Sequence, residues 1–241
     1  MTMLEVSNVS LRFGGLDVLK NVSFSIEQGE LVGLIGPNGA GKTTLFNVVS
    51  GFLTPHAGSV RYEGREIIGV GTHVLAARGM VRTFQGARAF PQLTVRENLR
   101  VAHHLSGRAG GRTGLEETAL RSFNLVRHGD DLARALPSGL LRTLGIAMAI
   151  ATGARLLLLD EPAAGLNPEE VMNLQEVIRN VNQAGVAICV IEHNLHFLMG
   201  LVQRAFVLDA GAVIASGPPT EVTQNPRVVE AYLGNDADAA G

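Results

Sequence analysis

The stretch that decides the fold is Leu31–Thr43, LVGLIGPNGAGKT. It opens with a short apolar run, Leu31–Ile35, which is typical of a strand buried on both faces of a parallel sheet. Residues Gly36–Thr43 then match the pattern G-x-x-x-x-G-K-[ST] at every fixed position. A helix is predicted to begin near Gly41 and to run through Val49. This strand–loop–helix context predicts a loop that binds the phosphates of a nucleotide.

The residue types in this loop each suit phosphate binding. The glycines Gly36, Gly39 and Gly41 allow backbone N–H groups to turn toward phosphate oxygens. The N-terminus of the following helix adds positive potential at the same place. The Lys42 ammonium group can bridge the β- and γ-phosphates of ATP, and the Thr43 hydroxyl can ligate Mg²⁺.

A second apolar run, Leu156–Asp160, has the sequence LLLLD. Its carboxylate lies at the C-terminal end of a predicted strand, which is the edge where ligands bind in α/β sheets. Successive strand residues point in opposite directions, so Asp160 and Glu161 can take different tasks. We expect Asp160 to hold Mg²⁺ and Glu161 to act as the general base that polarises the attacking water. With the phosphate loop, these carboxylates predict a P-loop nucleoside triphosphatase.

The length and composition of the chain restrict its fold class, its partners and its cellular compartment. The chain of 241 residues suits one large α/β domain or two small domains, and a hydrophobic content of 46% excludes a disordered chain. The formal net charge of −2 does not favour a nucleic-acid partner. The single cysteine, Cys189, lies in a predicted strand and is interpreted as an inert core residue in a reducing compartment. The apolar stretch Leu144–Leu159 is too short to span a membrane, so we expect a cytoplasmic protein.

The pattern along the chain predicts an α/β protein built around a mostly parallel sheet. Alternating residues predict strands at Met3–Ser10 and Val22–Ile26, and a hairpin over 58–69 has its tip at Gly64. Helical spacing predicts a helical insert over about 94–152. The remaining predicted elements are strands at 156–159, 186–191, 204–208 and 213–216, helices at about 169–182 and 226–233, and a frayed tail over about 235–241.

The order and spacing of further landmarks resemble the ATP-binding subunit of ABC transporters over the whole chain. Gln85, within RTFQ, resembles the Q-loop glutamine, and His193 resembles the switch histidine. The segment Leu136–Leu140 stands at the position of the signature, Ala164–Asn167 at that of the D-loop, and Phe13 at that of the aromatic residue that stacks on adenine. The resemblance implies one cassette over 1–241, with a RecA-like core, an antiparallel β subdomain and a helical subdomain.

The resemblance also implies a role for each of these positions. Glu161, His193 and Gln85 are the implied catalytic residues, and Thr43, Gln85 and Asp160 surround the implied Mg²⁺. The implied ATP-binding residues are Phe13, Gly36, Pro37, Asn38, Gly39, Ala40, Gly41, Lys42, Thr43 and Thr44. In the family, two such subunits close head to tail, and each signature lies on the ATP held by its partner. The implied residues of that contact are Pro137, Ser138, Gly139 and Leu140 of the signature, with Gly165 and Asn167 of the D-loop.

A narrower resemblance is to the importers of branched-chain amino acids. It is carried by the segments RTFQ, LTVRENL, IEHN and the late AYLG. It implies a second ATP-binding subunit, two integral membrane permease subunits, an indirect periplasmic solute-binding protein and a place on the inner face of the cell membrane. Importers of urea and short amides share these segments, so the substrate stays open. A role on DNA or ribosomes is disfavoured because the chain has one domain and no basic patch.

The signature departs from the commonest family form, L-S-G-G-Q. Pro137 offers neither a hydroxyl nor an N–H group to a phosphate, and Leu140 replaces a polar side chain. In one interpretation, backbone amides and the dipole of the following helix carry this half of the site. In the other, the chain is a weakly hydrolysing regulatory subunit of an asymmetric heterodimer. In the D-loop, Asn167 replaces the family's aspartate but keeps its capacity to form hydrogen bonds.

Overall fold

The computed structural model describes residues 1–83, 89–105, 115–193 and 195–238. The strands in these ranges are β1 (Thr2–Phe13), β2 (Leu16–Glu27), β3 (Leu31–Ile35), β4 (Ala57–Tyr62), β5 (Arg65–Glu66), β6 (Met80–Arg82), β7 (Leu156–Asp160), β8 (Ala187–Ile191), β9 (Arg204–Asp209) and β10 (Ala212–Gly217). The α-helices in the same ranges are α1 (Lys42–Val49), α2 (Thr72–Ala77), α3 (Val95–Leu105), α4 (Leu115–Ser122), α5 (Ser138–Ala151), α6 (Pro168–Gln183), α7 (Leu195–Met199), α8 (Pro219–Val222) and α9 (Pro226–Asp238).

The described strands form a four-stranded and a six-stranded sheet. The four-stranded sheet is antiparallel, in the order β2-β1-β4-β5. The six-stranded sheet has the order β10-β9-β3-β8-β7-β6, and only its edge strand β10 runs antiparallel to its neighbour. This architecture confirms the predicted α/β fold with a mostly parallel sheet.

The six-stranded sheet is covered on both faces, which explains its apolar runs. In β7, Leu156 and Leu158 join the core shared with α1 and the four-stranded sheet. Leu157 and Leu159 point the other way, into the core shared with α3, α5 and α6. Since strand side chains alternate between faces, a strand buried on both sides must be apolar at every position. The same reasoning explains why Cys189 in β8 is fully enclosed.

The first hairpin is longer than its sequence pattern indicates. The predicted strands Met3–Ser10 and Val22–Ile26 lie within β1 and β2, which pair as far as Phe13 and Leu16. The pairing contains several register shifts, at which the alternation of buried and exposed residues changes phase. Because of such bulges, the strand ends cannot be located from a strict alternation of apolar and polar residues.

The C-terminal helix is also longer than predicted. The prediction ends the helix at about 233 and places a frayed tail from about 235, whereas α9 continues to Asp238. The added residues, 234–238, contain no proline, and their one glycine, Gly234, lowers helix propensity without removing a backbone N–H group, so the helix can continue through them. Within the described ranges, no helix is both long and apolar enough to cross a membrane.

The strand order determines where polar side chains meet. Strand β8 lies between β3 and β7, and all three run parallel. Their C-terminal ends therefore share one edge of the sheet. The loop after β3, the carboxylate at the end of β7 and the histidine after β8 all lie at that edge, as expected for a ligand site in such a sheet.

Candidate nucleotide-binding site

The phosphate loop, Gly36–Gly41, connects β3 to α1 with a conformation that depends on glycine. Gly36 has φ 151° and Gly41 has φ 101°. A Cβ atom on Gly36 would lie 2.0 Å from the carbonyl oxygen of Leu208, so no other residue fits there without moving the backbone. Asn38 and Gly39 at the tip of the loop are exposed. The loop is thus held on its sheet side and is open on the side where a phosphate would bind.

The Lys42 side chain lies inside this loop and is hydrogen-bonded to its backbone. Its Nζ donates hydrogen bonds to the carbonyl oxygens of Gly36, at 2.7 Å, and Pro37, at 2.9 Å. Burial lowers the pKa of Lys42, and the charges of Glu161 and Asp160 act in the opposite direction. Both carboxylates are therefore within electrostatic reach of this ammonium group, as the sequence pattern predicts. A charged lysine inside a loop of this kind is a binding group for anionic oxygens.

Asp160 ends β7 and forms a buried ion pair with Arg82, the last residue of β6. The distance between Arg82 Nη2 and Asp160 Oδ2 is 2.7 Å, and the two side chains are 6% and 11% exposed. Arg82 Nη1 also donates to Asn47 Oδ1 at 2.7 Å and to Ser50 Oγ at 3.0 Å, both on or next to α1. The carboxylate predicted to hold a metal is thus tied to the helix that begins at the phosphate loop.

Glu161 follows with an unusual backbone. Its φ is 46°, a left-handed conformation that costs a non-glycine residue about 1–2 kcal/mol. The conformation is held by a hydrogen bond from the Glu161 N–H to the carbonyl oxygen of Ile191, at 3.0 Å. The Glu161 carboxylate faces His193, with 3.9 Å between Glu161 Oε1 and His193 Nδ1. This gap is too long for a direct hydrogen bond and leaves a place where one polar atom can contact both groups.

Two further side chains hold the segment after Asp160. Glu192 is 1% exposed, and its Oε1 accepts a hydrogen bond of 2.8 Å from the Ala163 N–H. Arg142 on α5 donates to the carbonyl oxygens of Glu161, at 3.0 Å, Pro162, at 2.7 Å, and Ala164. Burial lowers the pKa of Arg142, and the charges of Glu192 and Glu170 oppose that shift. The helix that follows the signature therefore fixes the backbone around the predicted general base.

The signature begins α5, and one of its amides is already engaged. Pro137 is the N-cap of this helix, and Ser138 is exposed. The Gly139 N–H donates to Glu170 Oε1 at 3.0 Å. The apolar Leu140 is explained by packing, since it lies partly buried against the core of α5 and α6. The Glu170 carboxylate of the same chain thus occupies the Gly139 amide. In the interpretation in which backbone amides of the signature bind the partner's ATP, this amide would be a donor to a phosphate.

The D-loop segment leads directly into the same carboxylate. Gly165 is exposed with φ 75°, and Asn167 is the N-cap of α6. The Asn167 side chain accepts the Glu170 N–H at 3.0 Å, and Glu170 Oε2 accepts the Asn167 N–H at 3.1 Å, which together form a capping box. Asn167 therefore uses its hydrogen-bonding capacity within its own chain. Glu170 joins the start of α6 to the start of α5.

Phe13 lies at the end of a strand of the four-stranded sheet, and not at the ligand edge of the six-stranded sheet. Phe13 ends β1 with 50% of its surface exposed, next to Leu16 across the hairpin. The same hairpin approaches the phosphate loop, because a Cβ on Gly41 would lie 2.9 Å from the Val18 carbonyl oxygen. Gln85, predicted to lie near the metal, falls outside the described residues.

Sequence reasoning missed the residues that hold the site in place. The sequence places Arg82 only within RTFQ, because β6 is too short for its pattern to predict a strand beside β7. Glu170 carried a detectable signal, since N-x-x-E before a helix is a capping box. Its bond to Gly139 had no signal, since the two residues are distant in the chain. Arg142 and Glu192 act through backbone groups, which leave no trace in the pattern of side chains.

A phosphate loop between a buried strand and a helix, with two carboxylates at the end of β7 on the same edge of the sheet, defines a P-loop nucleotide hydrolase. The family described as ABC transporter matches residues 19–164, and the family described as branched-chain amino acid ATP-binding cassette transporter matches residues 212–238. The chain belongs to the ABC transporter family of ATP-binding proteins, and it is an ATPase.

Individual relatives cover the chain almost from end to end. The high-affinity branched-chain amino acid transport ATP-binding protein BraF of Pseudomonas aeruginosa is 40% identical, over 96% of this chain and 98% of the relative. The lipopolysaccharide export system ATP-binding protein LptB of Escherichia coli is 33% identical, over 98% and 99%. The solved structure of the ADP conformation of MJ1267, an ATP-binding cassette of an ABC transporter, matches with a TM-score of 0.88 at 29% identity, over 97% of this chain and 99% of that one.

Proposed function

We propose that this ATPase is the motor subunit of an importer for branched-chain amino acids. The observation that carries the substrate class is the match of residues 212–238 to the branched-chain cassette family, together with relatives such as BraF. In this proposal, residues 1–241 form one ATP-binding cassette, with a helical subdomain over about 94–152. Relatives include an export protein, so the direction of transport is part of the proposal.

Within the ATP site, each residue takes the role that its chemistry suits. Phe13, with half of its surface exposed, stacks on the adenine. The backbone amides of Gly36–Thr44 and the Lys42 ammonium group bind the phosphates. Glu161 accepts a proton from the attacking water, and His193, at 3.9 Å from it, contacts the γ-phosphate. Gln85 is assigned as the third catalytic residue of the ATP site, together with Glu161 and His193.

The donors in the site fit Mg²⁺. The Thr43 hydroxyl is exposed at the start of α1, and the Asp160 carboxylate lies at the end of β7. A hydroxyl and a carboxylate are hard oxygen donors of the kind that Mg²⁺ prefers, and nucleotide phosphates complete such sites. When bound, Mg²⁺ would neutralise negative charge on the nucleotide phosphates. Thr43, Asp160 and Gln85 would hold it.

The proposed assembly contains two ATP-binding subunits closed head to tail. The signature residues Pro137–Leu140 and the D-loop residues Gly165 and Asn167 then face the ATP of the partner. Closure excludes water from the triphosphate, which strengthens the electrostatic interactions of the site. Two integral membrane permease subunits form the transport path, a periplasmic solute-binding protein delivers the solute, and this chain lies on the inner face of the membrane.

Solute uptake by proteoliposomes tests the proposed function. The complex of this chain with its permease subunits is reconstituted with ATP inside the vesicles and solute-binding protein outside. We expect uptake of radiolabelled leucine, isoleucine and valine that is lost with Lys42→Ala. Uptake of urea without uptake of leucine would identify the urea importer instead, and ATP-driven efflux would overturn the importer assignment.

A second candidate function is that of a weakly hydrolysing regulatory subunit. One observation favours it: the Gly139 amide is occupied by Glu170 Oε1 at 3.0 Å. Since the Gly139 amide is occupied and Pro137 has no N–H group, this signature has fewer hydrogen-bond donors for a phosphate held by the partner. Turnover measured with and without a companion ATPase separates the two functions. A motor subunit adds its own ATP turnover to that of the companion, whereas a regulatory subunit binds ATP, hydrolyses it weakly and acts mainly on the rate of its companion.

A further inference from the structure

We propose that Arg82 is a positioning residue for Mg²⁺: its guanidinium fixes the Asp160 carboxylate relative to α1, so that one carboxylate oxygen is presented to the metal. The inference rests on the proposed Mg²⁺ site and adds to it a residue outside the proposed set of metal ligands. It concerns affinity for the metal, which can be measured without hydrolysis.

The geometry of Arg82 is that of a fixed fork. One terminal nitrogen, Nη2, bonds Asp160 Oδ2 at 2.7 Å, and the other, Nη1, bonds Asn47 Oδ1 at 2.7 Å and Ser50 Oγ at 3.0 Å. Its Cζ atom lies 5.7 Å from the centroid of the Phe46 ring and 5.7 Å from that of Phe52. Contacts with two aromatic rings and directed hydrogen bonds hold the guanidinium in one orientation, which an ammonium group cannot reproduce.

This fork connects the two elements that carry the proposed metal ligands. Asp160 is on β7, and Thr43 is at the start of α1, the same helix that contains Asn47. The bond to Arg82 uses Oδ2, so we assign Oδ1 as the oxygen that faces the cation. Mg²⁺ requires near-octahedral geometry with short bonds of about 2.0–2.1 Å, so its affinity depends on how accurately separate ligands are placed. A residue that sets the spacing between β7 and α1 therefore sets that affinity.

The same contact could also act through charge alone, and the two effects have opposite signs. A guanidinium beside Asp160 repels a divalent cation, so its charge by itself weakens metal binding. If charge were the whole role, a substitution that keeps the charge would leave metal affinity unchanged. If position is the role, losing the fork weakens affinity even when the charge stays. Arg82→Lys separates the two.

The experiment measures Mn²⁺, as a probe for Mg²⁺, bound by the purified chain with a non-hydrolysable ATP analogue, using electron paramagnetic resonance. For Arg82→Lys we expect the Mn²⁺ dissociation constant to rise by about 10–100-fold, the usual effect of losing a partner of a metal ligand. Asn47→Ala removes one anchor of Arg82 without changing any charge and should shift the constant in the same direction by a smaller factor. Circular dichroism checks that each variant is folded.

Arg204→Lys is the matched control. Arg204 also forms a fork, with Glu30 Oε1 at 2.8 Å and the Ser25 carbonyl oxygen at 2.8 Å, and it lies over the Phe206 ring at 4.8 Å. It should lose stability without any change in Mn²⁺ affinity. Unchanged Mn²⁺ affinity in folded Arg82→Lys would overturn the inference while leaving the metal site in place. Unchanged affinity in Asp160→Asn would instead overturn the proposed metal site itself.

Discussion

Glu170 joins two helices through one carboxylate, and replacing it tests whether these contacts stabilise the protein. In Glu170→Ala, the Asn167 N–H loses an acceptor at 3.1 Å and the Gly139 N–H loses one at 3.0 Å. Loss of the capping bond costs about 1 kcal/mol. Loss of a charged acceptor from a partly buried amide costs about 1.5 kcal/mol. We therefore expect a loss of about 2–3 kcal/mol in the free energy of unfolding.

Urea unfolding followed by circular dichroism measures this loss. Glu170→Gln keeps one acceptor oxygen, which can satisfy the Asn167 N–H, but its amide nitrogen cannot accept the Gly139 N–H, so it should cost about 1.5 kcal/mol. Glu169→Ala is the control: it removes a carboxylate from the same helical turn, and since Glu169 is exposed it should change stability by about 0.5 kcal/mol at most. A cost below about 0.5 kcal/mol for Glu170→Ala, or an equal cost for Glu170→Gln and Glu170→Ala, would refute the reasoning.

Three further predictions concern the core and the loop. Burial raises the pKa of Tyr62 from 10.0 to about 12, so the folded protein keeps a proton that the unfolded chain releases. Its contribution to stability is complete below pH 10 and is lost as the pH rises toward 12, and urea titrations of Tyr62→Phe should show a smaller loss. Gly36→Ala places a Cβ 2.0 Å from the Leu208 carbonyl oxygen and should cost about 3 kcal/mol or more in thermal unfolding, whereas Gly39→Ala, with no atom within 4 Å, should cost about 1 kcal/mol. The Cys189 thiol, whose pKa is raised by burial, should react with a thiol reagent in urea but not in the native protein.

The parts of the site that follow from local pattern could be predicted from the sequence. The phosphate loop and the pair Asp160 and Glu161 each depend on a few consecutive residues and on the strand before them. Their meeting at one sheet edge follows from the parallel arrangement of β3 and β7. The match of residues 19–164 to the ABC transporter family, and of 96% of the chain to BraF, also confirms the predicted family. The assigned catalytic and metal roles remain predictions.

Contacts between distant segments could not be predicted. Arg82 and Asp160 are neighbours only because β6 pairs with β7, and β6 is three residues long. The bond between Gly139 and Glu170 depends on how α5 packs against α6. The ends of the strands in the first hairpin could not be predicted either. Bulges shift the register there, and backbone geometry, not residue type, decides where the pairing stops.

ATP hydrolysis by the Glu161→Gln variant tests most directly the central claim that Glu161 activates water at this phosphate loop. Release of inorganic phosphate is measured at saturating ATP and Mg²⁺, with ATP binding measured in parallel and Glu169→Gln as control. We expect nearly unchanged ATP affinity, a turnover reduced by about 10²–10⁴-fold, and an ATP-bound closed dimer that persists during size-exclusion chromatography. Phosphate release at an undiminished rate in Glu161→Gln would contradict the claim.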